Sequence, residues 1–240
     1  MKKRLLSLLT LVLCIAMVFT MLPVTADAAS DSYNTRSSKK VLLVFPDSWS
    51  TLSEPLHAKV TGNYTNGGIY YLPKPESGNG NLGVAKKGTN VTIFAEEDGY
   101  YFFMTNSGRM GWSKKVNFSE PESYETEYLP GNSGLTTDHL YEIKDFLEDN
   151  SRAGGSNKFY PSKPVIIVEK GETVKFTVYG EYRKSSTVNM SWNDYIHSLK
   201  WKTGSGKATV SIKGKVRGTG RIDFLNYYTE REFEVLVIVV

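Results

Sequence analysis

The chain opens with three basic residues, Lys2, Lys3 and Arg4, followed by apolar sequence over residues 5–22 that Pro23 ends. Beyond residue 40 the apolar positions come in short pieces separated by turn residues. Residues 41–45 form an apolar run stopped by Pro46, which predicts a strand able to pair with either later domain. Residues 48–55 read as loop. Strand-like pieces follow at Lys59-Val60-Thr61, at Ile69-Tyr70-Tyr71-Leu72, over 91–95, over 100–105 and over 110–113. A Pro/Gly/Asn-rich loop fills 73–83, and Asn106, Ser107 and Gly108 make a tight hairpin turn. Farther on, Leu140, Ile143 and Leu147 recur at helical spacing beside Phe146, with Thr137 or Asp138 as cap. Gly154 and Gly155 end that helix, which must bury its stripe against a β domain and so fix how the two domains sit.

From residue 160 the alternation is regular. Val174, Phe176 and Val178 share a face; Ala208, Val210 and Ile212 do the same, as do Ile222 with Phe224, and Phe233, Val235, Val237 and Val239. Glycines at 204, 206, 214, 218 and 220 mark the turns, and Trp201 is expected in the core. The pattern predicts an all-β chain: a small SH3-like barrel, a short helical connector and a β-sandwich. The divisions fall at 1–28, 29–56, 57–118, 119–159 and 160–240.

Residues 1–28 carry a charged start, an 18-residue apolar stretch and Ala26-Asp27-Ala28, the small-x-small arrangement at which export signals are cut. Such a stretch is long enough to span a bilayer, but the cut site and the lack of basic residues after it favour removal after Ala28. No membrane contact is then expected. Cys14 lies inside the stretch, and Leu13 before it is too large for a lipoprotein site. The remainder has no cysteine, which excludes a disulfide, a thiolate metal site and a thiol nucleophile and points to a Gram-positive bacterial source. No sortase signal closes the chain, so attachment to a wall would be non-covalent and the location secreted or wall-associated.

Charge divides the chain into blocks. Residues 29–118 hold 10 basic and 7 acidic side chains, net +3; residues 119–156 hold 2 and 9, net −7; residues 157–240 hold 14 and 8, net +6. The acidic block reads as a solvated linker. The last basic block also suits an anionic polymer such as teichoic acid. Nucleic acid is not expected of an exported chain without a basic-aromatic motif.

Several residues carry a family likeness. Lys86, Lys87, Gly88 and Val91 match the Lys-Lys-Gly-x-x-Val turn and strand of the bacterial SH3 (SH3b) domain. Gly99-Tyr100-Tyr101 stands for its Gly-Trp-Tyr strand start, with Tyr for Trp, and Gly111-Trp112 for its closing Gly-Trp. Residues 57–118, about a quarter of the chain, thus resemble SH3b. The early Asn-Val-Arg-x-Gly-Pro run departs: here it reads Tyr70-Tyr71-Leu72-Pro73-Lys74-Pro75. The resemblance implies binding to peptidoglycan or peptides, and the departure falls where the family shapes its groove. Residues 160–240 resemble bacterial immunoglobulin-like domains of the Big type through a Lys-Gly-Glu-Thr start, the Trp, an Ala-Thr-Val-Ser-Ile-Lys-Gly strand and a closing Val-x-Val run. That likeness implies a spacer or adhesion module.

Alternation supplies candidate site residues. Val91, Ile93 and Ala95 form one face, which Tyr101 and Phe103 share, so Tyr100, Phe102 and Met104 point the other way. Each ring left in water forgoes roughly 2–3 kcal/mol. Either the helix or the second domain covers this row, or it is a binding surface. Tyr64 and Tyr70 are the other exposed-aromatic candidates, flat faces suited to sugars and prolines, although Tyr70 also fits under the long loop. Trp112 reads as a core pillar.

Nothing points to catalysis, and neither a cofactor nor a metal is expected. Gly78-Asn79-Gly80-Asn81-Leu82-Gly83 has the G-x-G-x-x-G letters, but a strand follows where a nucleotide site needs a helix. Asp149-Asn150-Ser151 hints at a calcium loop, but Ala153 and Tyr160 occupy ligand positions. His57, His139 and His197 are scattered, and Glu96-Glu97-Asp98 looks like a hairpin tip. The expectation is a non-catalytic envelope-binding protein whose partner is peptidoglycan, another wall polymer or a surface protein.

Overall fold

Strand alternation in the first half builds two opposed faces, and both are buried. In the computed structural model the described residues are 43, 50–64, 66–77, 80–125, 129, 134–149, 159–180, 188–191, 196–204, 207–226 and 231–240. The expected export signal lies outside them. So does the expected strand at 41–45, save Leu43, which packs against the helix-centred core.

The first half contains β1 (Thr51–Lys59), β2 (Gly68–Tyr71), β3 (Gly83–Lys86), β4 (Asn90–Glu97), β5 (Tyr100–Thr105), β6 (Met110–Lys114) and β7 (Glu122–Ser123). Five of these form an antiparallel sheet in the order β6-β5-β4-β1-β7, and β2 and β3 make a separate ribbon. The segment read as loop at 48–55 is largely strand. Pro55, which has no N–H to donate, sits where the β1–β4 register slips between Thr51 and Leu56 and no ladder bond is needed.

The turns follow the sequence reading. Asp98 and Gly99 both take positive φ (46° and 79°) at the β4–β5 hairpin, as does Gly108 at the next. Among the described residues no sheet closes into a barrel, which corrects the barrel expectation. The ribbon meets the large sheet through one bridge, where Leu72 and Trp112 exchange backbone hydrogen bonds of 2.8 and 2.9 Å. The loop at 73–83 then carries the chain away, and the ladder stops. Between ribbon and sheet lies a core of Val60, Ile69, Tyr71, Val91, Ile93 and Phe103, with Tyr71 stacked on Phe103 at 5.0 Å.

A β-bulge changes one face assignment. Ile93 pairs with Phe103 but Ala95 with Phe102, so Phe94 is an extra residue. Val91 and Ile93 face the ribbon, whereas Ala95 turns to the opposite core with Phe94. The inserted residue shifts parity by one, which alternation alone does not reveal.

The second half contains β8 (Phe159–Pro161), β9 (Val165–Val168), β10 (Thr173–Gly180), β11 (Val188–Ser191), β12 (Ile196–Gly204), β13 (Lys207–Gly214), β14 (Gly218–Asn226) and β15 (Arg231–Val239). They form two four-stranded sheets, β12-β13-β10-β8 and β11-β14-β15-β9. The β15–β9 pairing is parallel and the others are antiparallel. Their facing sides share a core of Phe176, Val178, Val210, Ile212, Phe224 and Val237 among others, with Phe224 stacked on Phe233 at 4.8 Å. Trp201 lies on β12, but its side chain is outside the described residues.

The helix α1 (Thr137–Asp149) joins the halves. It is capped one residue earlier than expected: Thr136 Oγ1 accepts from the His139 N–H at 3.4 Å, and His139 Nδ1 accepts from the Thr136 N–H at 3.1 Å. Leu140, Ile143, Phe146 and Leu147 are buried in a core that also takes Tyr100, Phe102 and Met104 from β5 and Leu236 and Ile238 from β15. Polar contacts run along the rim. Thr51 Oγ1 donates to Glu148, Thr219 Oγ1 donates to Glu142, and Arg221 pairs with Asp149 at 3.3 Å while lying 5.4 Å over the Phe146 ring. Hydrogen bonds from Lys144 and Thr51 hold the Glu148 carboxyl below its usual range. Among the described residues no helix is long and apolar enough to cross a membrane.

Candidate binding surface

The proposed site residues separate into two groups. Tyr100 is 8% exposed, and Phe102 and Met104 are 0% exposed. The Phe102 ring sits 5.2 Å from Trp112, and the Tyr100 hydroxyl bonds Ser77 Oγ at 3.0 Å. The row therefore belongs to the core under α1 and β15, and its assignment as ligand-binding is corrected. An apolar face on the outer side of a five-stranded sheet and an apolar stripe on a helix cover one another, and both leave water.

Tyr64 and Tyr70 stay at the surface. Tyr64 is 60% exposed and Tyr70 half-buried, with ring centroids 6.3 Å apart and planes inclined at 58°. Asn66 and Gly67, both at positive φ, turn the chain so that the Tyr64 N–H donates to the Gly68 carbonyl at 3.1 Å. The Tyr64 hydroxyl accepts from Asn117 Nδ2 at 2.8 Å. Asn117 is itself buried. Its side-chain amide also donates to Ser113 Oγ at 2.9 Å, and its backbone carbonyl accepts from the Thr61 and Gly62 N–H groups. Gly62 permits that approach: a β-carbon there would lie 2.5 Å from Ile69 Cγ2 and 2.9 Å from Asn117 Oδ1.

Next to Asn117 in the chain, Val116 is 83% exposed. Close by, Lys115 lies 5.3 Å over the Tyr101 ring and pairs with Glu96. The result is an aromatic face whose tilt is set by a buried amide, able to stack on a flat or ring-shaped ligand and to hydrogen-bond at its edge.

Sequence reasoning did not find an open groove of about 360 Å³ between β1 and the start of α1, where Glu54, Glu125, Tyr124 and Tyr141 gather. Glu54 and Pro55 come from β1, and its other residues from the acidic stretch that composition describes only as linker. Glu54 accepts from Ser123 Oγ at 2.7 Å, and Tyr124 bonds Thr92 Oγ1 at 2.7 Å beside the His57 ring. Burial pushes the Tyr124 hydroxyl above its ordinary value, against that hydrogen bond.

His57 lies 3.4 Å from Asn90 Oδ1, and His139 is held in the helix cap. The side chain of His197 lies outside the described residues. Among the described residues no three His, Cys, Asp or Glu side chains gather as a metal site would require.

No known protein family matches the chain, and no curated protein matches it. Among solved structures, domains 4 and 5 of the S-layer protein SbsC align with 80% of this chain and 99% of that one, at 13% identity and a TM-score of 0.30. Domains 1-6 of the surface layer protein SbsC align at 14% identity with the same TM-score, and domains 4-9 at 12%. The chain spans less than a third of those two longer structures, 28% and 31%.

Proposed function

We propose that this is an exported, non-catalytic protein that attaches to the bacterial cell envelope by contact with peptidoglycan or its peptides. In this reading the first half is an SH3b-like module, and the second an immunoglobulin-like one that acts as spacer. The Tyr64–Tyr70 face carries the reading: an exposed ring oriented by the buried Asn117 amide. Orienting a ring costs side-chain freedom, and doing so before contact removes that cost from binding. The export-like start of the sequence and the lack of cysteine beyond Cys14 support an envelope location.

Sedimentation with purified walls tests the proposal. The protein is expected to pellet with protease-treated walls and to stay soluble after muramidase digestion. Tyr64→Ala, at a site with little buried area to lose, is expected to weaken pelleting at least about fivefold, equivalent to roughly 1 kcal/mol, with an unchanged thermal midpoint. Pelleting at wild-type level by that variant would reject the site, and absence of pelleting by the parent would reject the reading.

The continuous core through α1 favours a second reading, a rigid structural adaptor for another surface protein. That reading gains if walls stripped of protein fail to bind while untreated walls do.

A further inference from the structure

The two sheets of the second half divide their charges unequally. Asp223, Glu232 and Glu234 all lie on the β14–β15 side, whose outer apolar residues Leu236 and Ile238 are buried against α1. The opposite sheet, β12-β13-β10-β8, contains no Asp or Glu within its strands. Its inward residues Phe176, Val178, Val210 and Ile212 are buried, so the alternate positions of β10 and β13 face outward.

Register converts those positions into rows across the sheet. Lys213 pairs with Thr173, Ser211 with Lys175, Thr209 with Thr177, and Lys207 with Tyr179. On the other side of β13, β12 places Lys200 opposite Ser211 and Lys202 opposite Thr209. Three of these four rows thus hold a lysine of β10 or β13, register sets Lys202 beside the fourth, and hydroxyl residues occupy most of the remaining places. Rows are two residues apart, about 7 Å. Lys175 and Lys207 are exposed and Lys213 is half-buried, and no described acidic side chain pairs with any of the three.

We propose that the outward face of this sheet binds a linear phosphodiester polymer of the cell envelope, its successive phosphates meeting successive lysine rows. The spacing and the one-signed charge suit a flexible chain carrying one negative charge per repeat. Serine and threonine hydroxyls beside each ammonium can donate to phosphate oxygens. Neutralising each phosphate releases condensed counterions, so affinity falls steeply with salt. The choice of an envelope polymer rests on the reading above; the charged face does not.

The test titrates the purified protein with soluble poly(glycerol phosphate) between 50 and 300 mM salt, on the order of the range over which counterion release is read. The expected result is binding whose logarithm falls linearly with the logarithm of salt. The triple variant Lys175→Gln, Lys207→Gln, Lys213→Gln should lower affinity roughly tenfold to a hundredfold near 0.1 M salt and reduce the slope by about 2. Lys86→Gln with Lys87→Gln, exposed lysines of the first half, should change affinity less than about twofold, a bound that surface charges far from a site obey. An unchanged thermal midpoint establishes that the triple variant is folded.

No binding by the parent overturns the proposal, as does equal loss in the control pair. Equal or tighter binding to a single-stranded polynucleotide of matched charge overturns the choice of partner. Tyr64→Ala should leave polymer affinity unchanged. Failure here with Tyr64-dependent wall pelleting intact would remove this inference alone.

Discussion

Replacing Phe102 by alanine discriminates between a ring that meets a ligand and one that holds the molecule together. The side chain is 0% exposed, 5.2 Å from Trp112, in a core that includes Leu140 and Phe146 of α1 and Leu236 of β15. Truncation removes a whole ring from a site walled by a sheet on one side and a helix on the other, so little collapse is available. A buried Phe→Ala change costs about 3–5 kcal/mol, transfer and cavity contributions together. Against a total stability of roughly 5–15 kcal/mol this is a large fraction. The thermal midpoint should fall by roughly 6–20 °C for a domain of this size. Urea unfolding followed by far-ultraviolet circular dichroism and by tryptophan fluorescence measures it. Because that core spans both halves, the two signals should move together. A variant with parental stability and lost wall pelleting would refute the placement of this ring in the interior.

Gly68→Ala should destabilise by about 3 kcal/mol or more, read from the urea midpoint, because its β-carbon would fall on the Ala85 carbonyl of the paired strand and neither backbone can yield cheaply. Tyr71 gives a pH signature. Burial pushes its hydroxyl up to about 12, against a hydrogen bond from Thr105 and the nearby Arg109 charge. The folded state thus favours the neutral phenol, and this contribution is complete below pH 10 and lost as pH rises from about 10 to 12. The loss is on the order of 2–3 kcal/mol, and Tyr71→Phe should flatten the fall in melting temperature over that window.

The strands of the second half were legible because their alternation is long and regular, and the inward sets headed by Phe176, Val210 and Phe233 are the ones buried. Trp112 was legible as core, and α1 by its four apolar positions. The segment read as loop up to Pro55 is strand from Thr51, and Pro55 is tolerated there because it occupies a register slip. Alternation places Ala95 with Val91 and Ile93, but Phe94 bulges and turns it over, and a bulge has no sequence signature when the added residue is as apolar as its neighbours. The groove at Glu54 and Tyr124 is not legible in the sequence because its walls come from segments some seventy residues apart, brought together by the β1–β7 pairing and the packing of α1.

Local chemistry along the chain determined which residues make strands, which make the helix, where the chain turns, and that Tyr100, Phe102 and Met104 project from one side of β5. These follow from the two-residue period of a strand and the conformational limits of glycine and proline, which depend on neighbours in sequence. Tertiary structure decided what lies against each face. An apolar row has the same pattern whether water, a ligand or a helix covers it. The choice was made by Leu140, Phe146 and Leu236, residues 36 or more positions away, whose own apolar area had to leave water too. Cross-strand register likewise aligned lysines from β10 and β13 into one face, an arrangement set by pairing between strands and carried by neither alone.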